Sequence, residues 1–212
     1  MIKKKTIGLI GDVHCQNNSL EKTIEFLRDK CDQIFCTGDI VDGKGDPNKC
    51  VELLKKNDIP TVLGNHDRWA LSNQMRALSD ATNLDELHPI SIDFLKSCPA
   101  TINFETHLGR ALVCHGLGEN DMCRLTPDDS NYALESNDEF QKLQLRYDLI
   151  FILFGHTHRR MVKKIKHQFF INPGSLLPEH DPGFQILDFF KQEVIQYEHT
   201  MNGVREIEKF KI

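Results

Sequence analysis

Five short runs constrain this chain more than anything else in it: Gly11-Asp12-Val13-His14, Gly38-Asp39-Ile40-Val41-Asp42-Gly43, Gly64-Asn65-His66-Asp67, Cys114-His115-Gly116 and Gly155-His156-Thr157-His158. Each sets glycine beside a side chain able to bind a metal ion, and each follows or closes an apolar run that reads as a buried strand. The groups act together only if those strand ends converge. α/β sheets achieve this by gathering ligands at the carboxyl ends of their strands. Residues i and i+2 of a strand point the same way, so Asp12 with His14, and His156 with His158, can each reach toward one centre. Asp39 brings a carboxylate, whose two oxygens can bridge two cations. Asn65 offers a neutral carbonyl oxygen, and His115 an imidazole. Together these side chains suffice for two metal ions.

Between the motifs, strand and helix patterns alternate. Residues 6–11, 33–37 and 60–63 read as strands. Behind the first, Leu20, Ile24, Leu27 and Cys31 recur at helical spacing, with Asn18 and Glu21 as an N-terminal cap pair. Asp46-Pro47 opens a second helix whose inner face carries Val51 and Leu54. This alternation predicts a parallel sheet with right-handed crossovers. Further helices are expected from about residue 68 to 78 and over 90–96. Residues 101–105 and 110–114 read as antiparallel strands joined through Leu108-Gly109. A long polar loop spans 116–136, followed by a helix with Phe140, Leu143 and Tyr147 on one face. Residues 149–154, 168–171, 183–189 and 193–199 complete the strands.

The chain has 212 residues, 40% of them hydrophobic, which suits one large domain. Candidate ligands run from Asp12 to His158, so a single domain over residues 1–212 is expected. The net charge is −5, from 26 basic and 31 acidic residues, with no basic block beyond Lys3-Lys4-Lys5. A sequence-independent grip on nucleic acid needs a basic surface, so the balance argues against DNA or RNA as the main substrate. Seven scattered cysteines without a C-x-x-C pair read as free thiols of a reducing cytosol. No secretory signal is visible, and no stretch approaches the ~20 apolar residues of a membrane span. A cytoplasmic protein that does not cross a membrane is the expectation.

In kind and order the motifs resemble the signature blocks of the calcineurin-like metallophosphoesterase superfamily, over about residues 6–175. Asn172-Pro173-Gly174-Ser175 also resembles a block of its small, cap-less bacterial and archaeal phosphodiesterase branch. The resemblance implies an α/β fold in which two mixed β-sheets pack as a sandwich flanked by α-helices. It implies one ion held by Asp12, His14, Asp39 and His158, and a second held by Asp39, Asn65, His115 and His156. His66 would sit near the leaving group, with Asp67 orienting it. Two divalent ions so placed can share a bridging hydroxide that is nucleophilic at neutral pH. Their net positive charge would attract a phosphate and stabilise charge on its oxygens, while protonated His66 would donate to the departing oxygen. Mixed oxygen and nitrogen ligands suit Mn²⁺, Fe²⁺, Zn²⁺, Co²⁺ or Ni²⁺, with manganese favoured by the family alone. The implied substrate is a small phosphate ester, a diester ahead of a monoester. Self-association into a homo-oligomer is left open.

Other residues carry plainer readings. His88, His107, His167, His180 and His199 read as ordinary surface or core histidines, and Cys15 and Cys114 as packing residues. Asp42 fits equally a supporting partner for the loop after Asp39 and an ordinary turn aspartate. Arg68 can touch phosphate, whereas Trp69 reads as a core residue ahead of a stacking platform. Arg159 and Arg160 read as surface charges. The Gly174-Ser175 turn either donates N–H groups near the metals or merely links strands. Three rival functions are weighed. The protein serine/threonine phosphatase branch has arginine where this chain has Gly43 and glutamate where it has Asp67. A nuclease of the same superfamily is opposed by the acidic charge. A retromer subunit uses this fold as a non-catalytic scaffold with its active-site histidine replaced, whereas His66 is intact here. The 116–136 loop and the region after Trp69 are expected to set specificity.

Overall fold

The computed structural model describes residues 5–212; Lys3 and Lys4 of the basic cluster lie outside the described residues. Strand β1 (Thr6–Ile10) alternates, sending Ile7 and Leu9 to one face and Ile10 to the other. Helix α1 (Asn17–Leu27) buries the predicted stripe of Leu20, Ile24 and Leu27. Its start differs from expectation. Gln16 is the N-cap without a side-chain bond, and Asn18 lies inside the helix, where Oδ1 accepts from Asn17 Nδ2. Strand β2 (Gln33–Cys36) pairs parallel with β1. Helix α2 (Pro47–Lys56) opens as expected. The Asp46 carboxylate accepts from Lys49 N–H, and Pro47 occupies a position that needs no N–H.

The expected strand over 60–63 shrinks to one parallel bridge between Cys36 and Thr61. The chain then turns at Gly64 into helix α3 (Asn65–Leu71), which starts and stops earlier than the predicted helix. Beyond it the chain is irregular until α4 (Pro89–Ser97), apart from a turn of 3₁₀ helix at Leu84–Glu86. Strands β3 (Thr101–Thr106) and β4 (Gly109–Cys114) form the expected hairpin. The long loop contains a short helix α5 (Tyr132–Glu135), and α6 (Asp138–Gln144) buries Phe140 and Leu143. Tyr147 lies beyond α6 and is 77% exposed, so it does not share that face. There follow β5 (Leu149–Leu153), β6 (Met161–Ile165), β7 (Gln168–Asn172), β8 (Gly183–Asp188), β9 (Glu193–Thr200) and β10 (Gly203–Lys211).

The strands make two five-stranded sheets, ordered β10-β9-β8-β1-β2 and β3-β4-β5-β7-β6. Both are mixed, as the resemblance implies. The simple alternation toward a parallel sheet holds only for β1–β2 and for β4–β5–β7; every other pair is antiparallel. Ile7, Leu9, Phe35, Val113, Phe151, Leu153, Ile171 and Leu187 fill the space between the sheets. The outer face of the first sheet packs Ile10, Ile34 and Cys36 against Leu20, Leu27, Val51 and Leu54. On the second, Leu112, Ile152 and Phe170 meet Phe140 and Leu143. A parallel bridge between Asp12 and Ser175 ties the two sheets together beyond β1 and β7. Among the described residues no helix is long and apolar enough to cross a membrane.

Candidate metal centre

Four of the motifs sit in the turns that follow β1, β2, β4 and β5, the Gly64–Asp67 motif opens α3, and both site aspartates are gripped by backbone. Asp12 Oδ1 accepts from His156 N–H, and Asp39 Oδ1 from His66 N–H, each at 2.9 Å. In each case the grip leaves Oδ2 for the centre. Five residues here, His14, Asp39, Asp42, His156 and His158, hold φ between 45° and 67°. Non-glycine residues adopt that conformation at a cost, and such strain concentrates at functional sites.

Two triads of ligand atoms form, His14–Asp39–His158 and Asp12–Asp39–His115, with the atoms of each within 4.8 Å of one another. Asp39 Oδ2 lies 3.2 Å from His115 Nε2 and 3.8 Å from His14 Nε2. Asp12 Oδ2 is 3.9 Å from His158 Nε2. Asn65 Oδ1 joins the second triad, 2.9 Å from His115 Nε2 and 2.8 Å from His156 Nδ1. The fold thus brings all seven expected ligands into one cluster, in which Asp12 groups with His115 while also lying near His158, to whose ion the resemblance assigns it.

These contacts do not close fully as a hydrogen-bond network. His14 Nδ1 lies 2.8 Å from Asp42 O, and His115 Nδ1 lies 2.7 Å from Thr37 O. A carbonyl only accepts, so each ring carries a proton on Nδ1, and its Nε2 is the coordinating nitrogen when the ring is neutral. Yet His14 Nε2 lies 3.0 Å from His158 Nε2, and His115 Nε2 faces the oxygens of Asn65 and Asp39. Asp12 Oδ2 is buried without any hydrogen-bond partner. A buried carboxylate oxygen without a partner, beside converging ring nitrogens and an amide oxygen, calls for a cation, whether a metal ion or a protonated ring. Carboxylate, amide oxygen and imidazole are the donors a divalent transition metal takes, so the residues present fit the implied ions.

Protons share this role when no metal is bound. Burial opposes charge on His115, but Asp39 and Asp12 outweigh it and lift its pKa to about 10. Burial likewise opposes the Asp39 carboxylate, yet the His115 cation holds it well below the usual range. Burial raises Asp12. It depresses His156 to about 4 and His158 to about 3, with the neighbouring His115 and His14 rings adding to the effect, so both stay neutral and able to coordinate.

His66 lies at the mouth of the cluster, its side chain 22% exposed, with its ring edge-on to those of His14 and Trp69. Its Nδ1 is 2.8 Å from Asp42 Oδ2. Burial opposes charge on this ring, but Asp42 and Asp39 outweigh it and raise its pKa. The expectation that Asp67 orients His66 is corrected by this geometry. Asp67 Oδ1 accepts from Ile40 and Val41 N–H at 2.8 and 3.2 Å, and Oδ2 from Gly64 N–H at 3.0 Å. From the third position of α3 the Asp67 side chain folds back onto the N-cap, as capping residues do. It stitches the loop after β2 to the start of α3, and Asp42 is the partner of the ring. Asp42 is in turn held by Arg76, a residue the sequence reading did not single out. The two lie 34 positions apart, with Arg76 in an irregular segment that shows no motif.

A cavity of about 390 Å³ opens beside His14, His66 and His158, with Leu78, Leu177 and Pro178 among its walls. Arg68 is committed to Asp121, which ties α3 to the 116–136 loop, and Arg159 pairs with Asp128 of the same loop. The Asn172–Ser175 run is a brace. Gly174 N–H donates to Asn172 Oδ1, Asn172 Nδ2 donates to Gly155 O, and Ser175 Oγ donates to Asp12 O. His180, expected to be ordinary, stands edge-on to His158. All seven cysteines are free, and burial pushes the Cys15 and Cys114 thiols up to about 12.

Set against known proteins, residues 6–191 match the family described as Calcineurin-like phosphoesterase superfamily domain. An uncharacterized protein of Methanocaldococcus jannaschii, MJ0912, is 25% identical over 191 residues, or 86% of this chain and 74% of that one. A metallophosphoesterase from Sphaerobacter thermophilus superposes with a TM-score of 0.66 at 21% identity, over 96% of this chain and 88% of its own. A structure described as a novel archaeal phosphodiesterase superposes with a TM-score of 0.55 at 16% identity, over 95% and 98% of the two chains. At these identities the likeness to the two solved structures is one of fold.

Proposed function

The chain belongs to the calcineurin-like phosphoesterase superfamily, and from that premise we propose that it is a dinuclear, metal-dependent hydrolase of a small phosphate ester, a diester ahead of a monoester. The observation that carries this reading is the place of Asp39 in both ligand triads. A carboxylate so shared serves two cations at once. Asp12, His14, Asp39 and His158 would hold one, and Asp39, Asn65, His115 and His156 the other. When bound, divalent ions, Mn²⁺ by preference, supply positive charge to the phosphate and bring the pKa of a water toward neutrality.

The chain's own residues do the rest. His66, held at Nδ1 by Asp42, has Nε2 left to meet the leaving oxygen, and the Asp42 carboxylate favours the protonated ring that can donate there. The cavity beside it offers room for more than a phosphate group, and its apolar side chains Leu78, Leu177 and Pro178 suit the organic part of an ester. The phosphodiesterase description of the archaeal relative in fold favours the diester. Seven free cysteines favour a reducing, cytoplasmic setting.

The test is a screen of protein stripped of metal and reloaded with Mn²⁺. Aryl phosphomonoesters, aryl phosphodiesters and nucleotides serve as substrates, and bound metal is counted per chain. The expected result is about two ions per chain, fastest turnover of a diester, and loss of both ions in Asp39→Asn. A single ion per chain, or no hydrolysis of any ester by fully loaded protein, overturns the reading.

A further inference from the structure

We propose that Arg76 is a positioning residue for the leaving-group side of this site, acting through Asp42 on His66. The inference rests on the reading of His66 as the group that meets the leaving oxygen. Arg76 lies in the irregular stretch between α3 and α4, yet its side chain is only 11% exposed. Its guanidinium grips Asp42 with two teeth, Nη1 to Oδ1 at 2.7 Å and Nη2 to Oδ2 at 2.9 Å. Nη1 also donates to Thr82 O at 2.8 Å, and Nε to Gln74 O at 2.6 Å. The arginine is thereby locked to both sides of its own loop.

Asp42 has no oxygen to spare. Its Oδ2 is shared by Arg76 Nη2 and His66 Nδ1, and its Oδ1 by Arg76 Nη1 and Thr82 N–H. A carboxylate held across both oxygens has one orientation left, and the ring bonded to it inherits that orientation. Without Arg76, the carboxylate keeps only Thr82 N–H and His66 itself, a looser hold that lets it turn about its last bond and carry His66 with it. The same stretch of chain supplies Leu78, Ser79 and Asp80 to the cavity. One guanidinium therefore sets both the plane of His66 and the wall against which a leaving group would lie. Lysine cannot take its place, because a single ammonium lacks the planar fork.

The experiment compares wild type, Arg76→Ala and Arg76→Lys, all loaded with Mn²⁺, on diesters that differ only in the leaving group. Arg76→Lys is included because Arg76→Ala leaves a buried carboxylate without its cation and can weaken the fold. In both variants kcat is expected to fall about 10- to 100-fold for an alkoxide leaving group, which needs protonation, and far less for a nitrophenolate, which does not. Bound metal stays constant, and added guanidinium ion restores part of the Arg76→Ala rate. An equal fall for every leaving group, with no response to guanidinium, overturns the inference. Should wild type hydrolyse no ester, the hydrolytic reading fails, and NMR of the same proteins still decides the role of Arg76. The His66 Nδ1 proton is expected to be sheltered from exchange in wild type and exposed in Arg76→Ala; equal shelter in both defeats the proposal.

Discussion

His66 shows why a side chain's chemistry is only half written in its own motif. The Gly64-Asn65-His66-Asp67 run marks it as a candidate acid, and nothing more distant is needed to see that. Its partner is another matter. The adjacent Asp67 was the natural expectation, but a residue at the third position of a helix is better placed to cap that helix than to reach its neighbour's ring, and Asp67 bonds Gly64, Ile40 and Val41 N–H instead. Asp42 takes the ring from across the loop after β2. His66→Ala removes a proton donor without touching a ligand. It is expected to keep its metal and lose about two to four orders of magnitude in turnover, as read by steady-state kinetics beside metal analysis. Unchanged turnover would remove His66 from the chemistry.

At the scale of elements, the legible parts were those with a strong local signal. Asp46-Pro47 announces α2, and the β3–β4 hairpin follows from alternation around a turn. Strands β6 and β10 escaped because each lies at the edge of its sheet and is laced with charge, Met-Val-Lys-Lys-Ile in β6, so no apolar run marks it. The expected strand over 60–63 failed for a different reason. It has the composition of a strand, but the turn at Gly64 follows almost at once and leaves room for a single bridge. The turn after β5 matters more than its length suggests. A Cβ on Gly155 would stand 2.5 Å from Thr37 Oγ1 and 2.6 Å from Asp12 Oδ1. Gly155→Ala is therefore expected to cost about 1–3 kcal/mol in urea unfolding, the usual penalty of overpacking, and to weaken metal binding by pushing Asp12 out of place. Metal affinity equal to wild type would show that the Asp12 carboxylate yields without consequence.

Across the whole molecule, a buried cluster of aspartates and histidines makes stability depend on pH and on metal together. In metal-free protein, burial holds His156 near 4 and His158 near 3, so the folded state refuses protons that the unfolded chain accepts below about 6.5. Stability is therefore lost as pH falls through that value. His115 works in the opposite sense. Burial opposes its charge but Asp39 and Asp12 keep its proton up to about 10, so its contribution is complete below about 6.5 and is lost as pH rises toward 10. Metal-free protein is expected to be most stable near neutrality, with each such proton contributing a slope of at most about 1.4 kcal/mol per pH unit. A metal ion held by His115 would replace that proton and is expected to flatten the alkaline limb. Denaturant unfolding across the pH range, with and without Mn²⁺, measures both limbs, and an alkaline fall indifferent to metal would count against the centre. What could be read before folding was the identity and order of the candidate ligands, because donor chemistry belongs to residue type and strand ends are marked by short apolar runs. Only the folded chain could decide who holds whom. Asp42 rather than Asp67 takes His66, and Arg76 takes Asp42, because contacts between irregular segments far apart in the chain follow from packing and leave no period or motif behind.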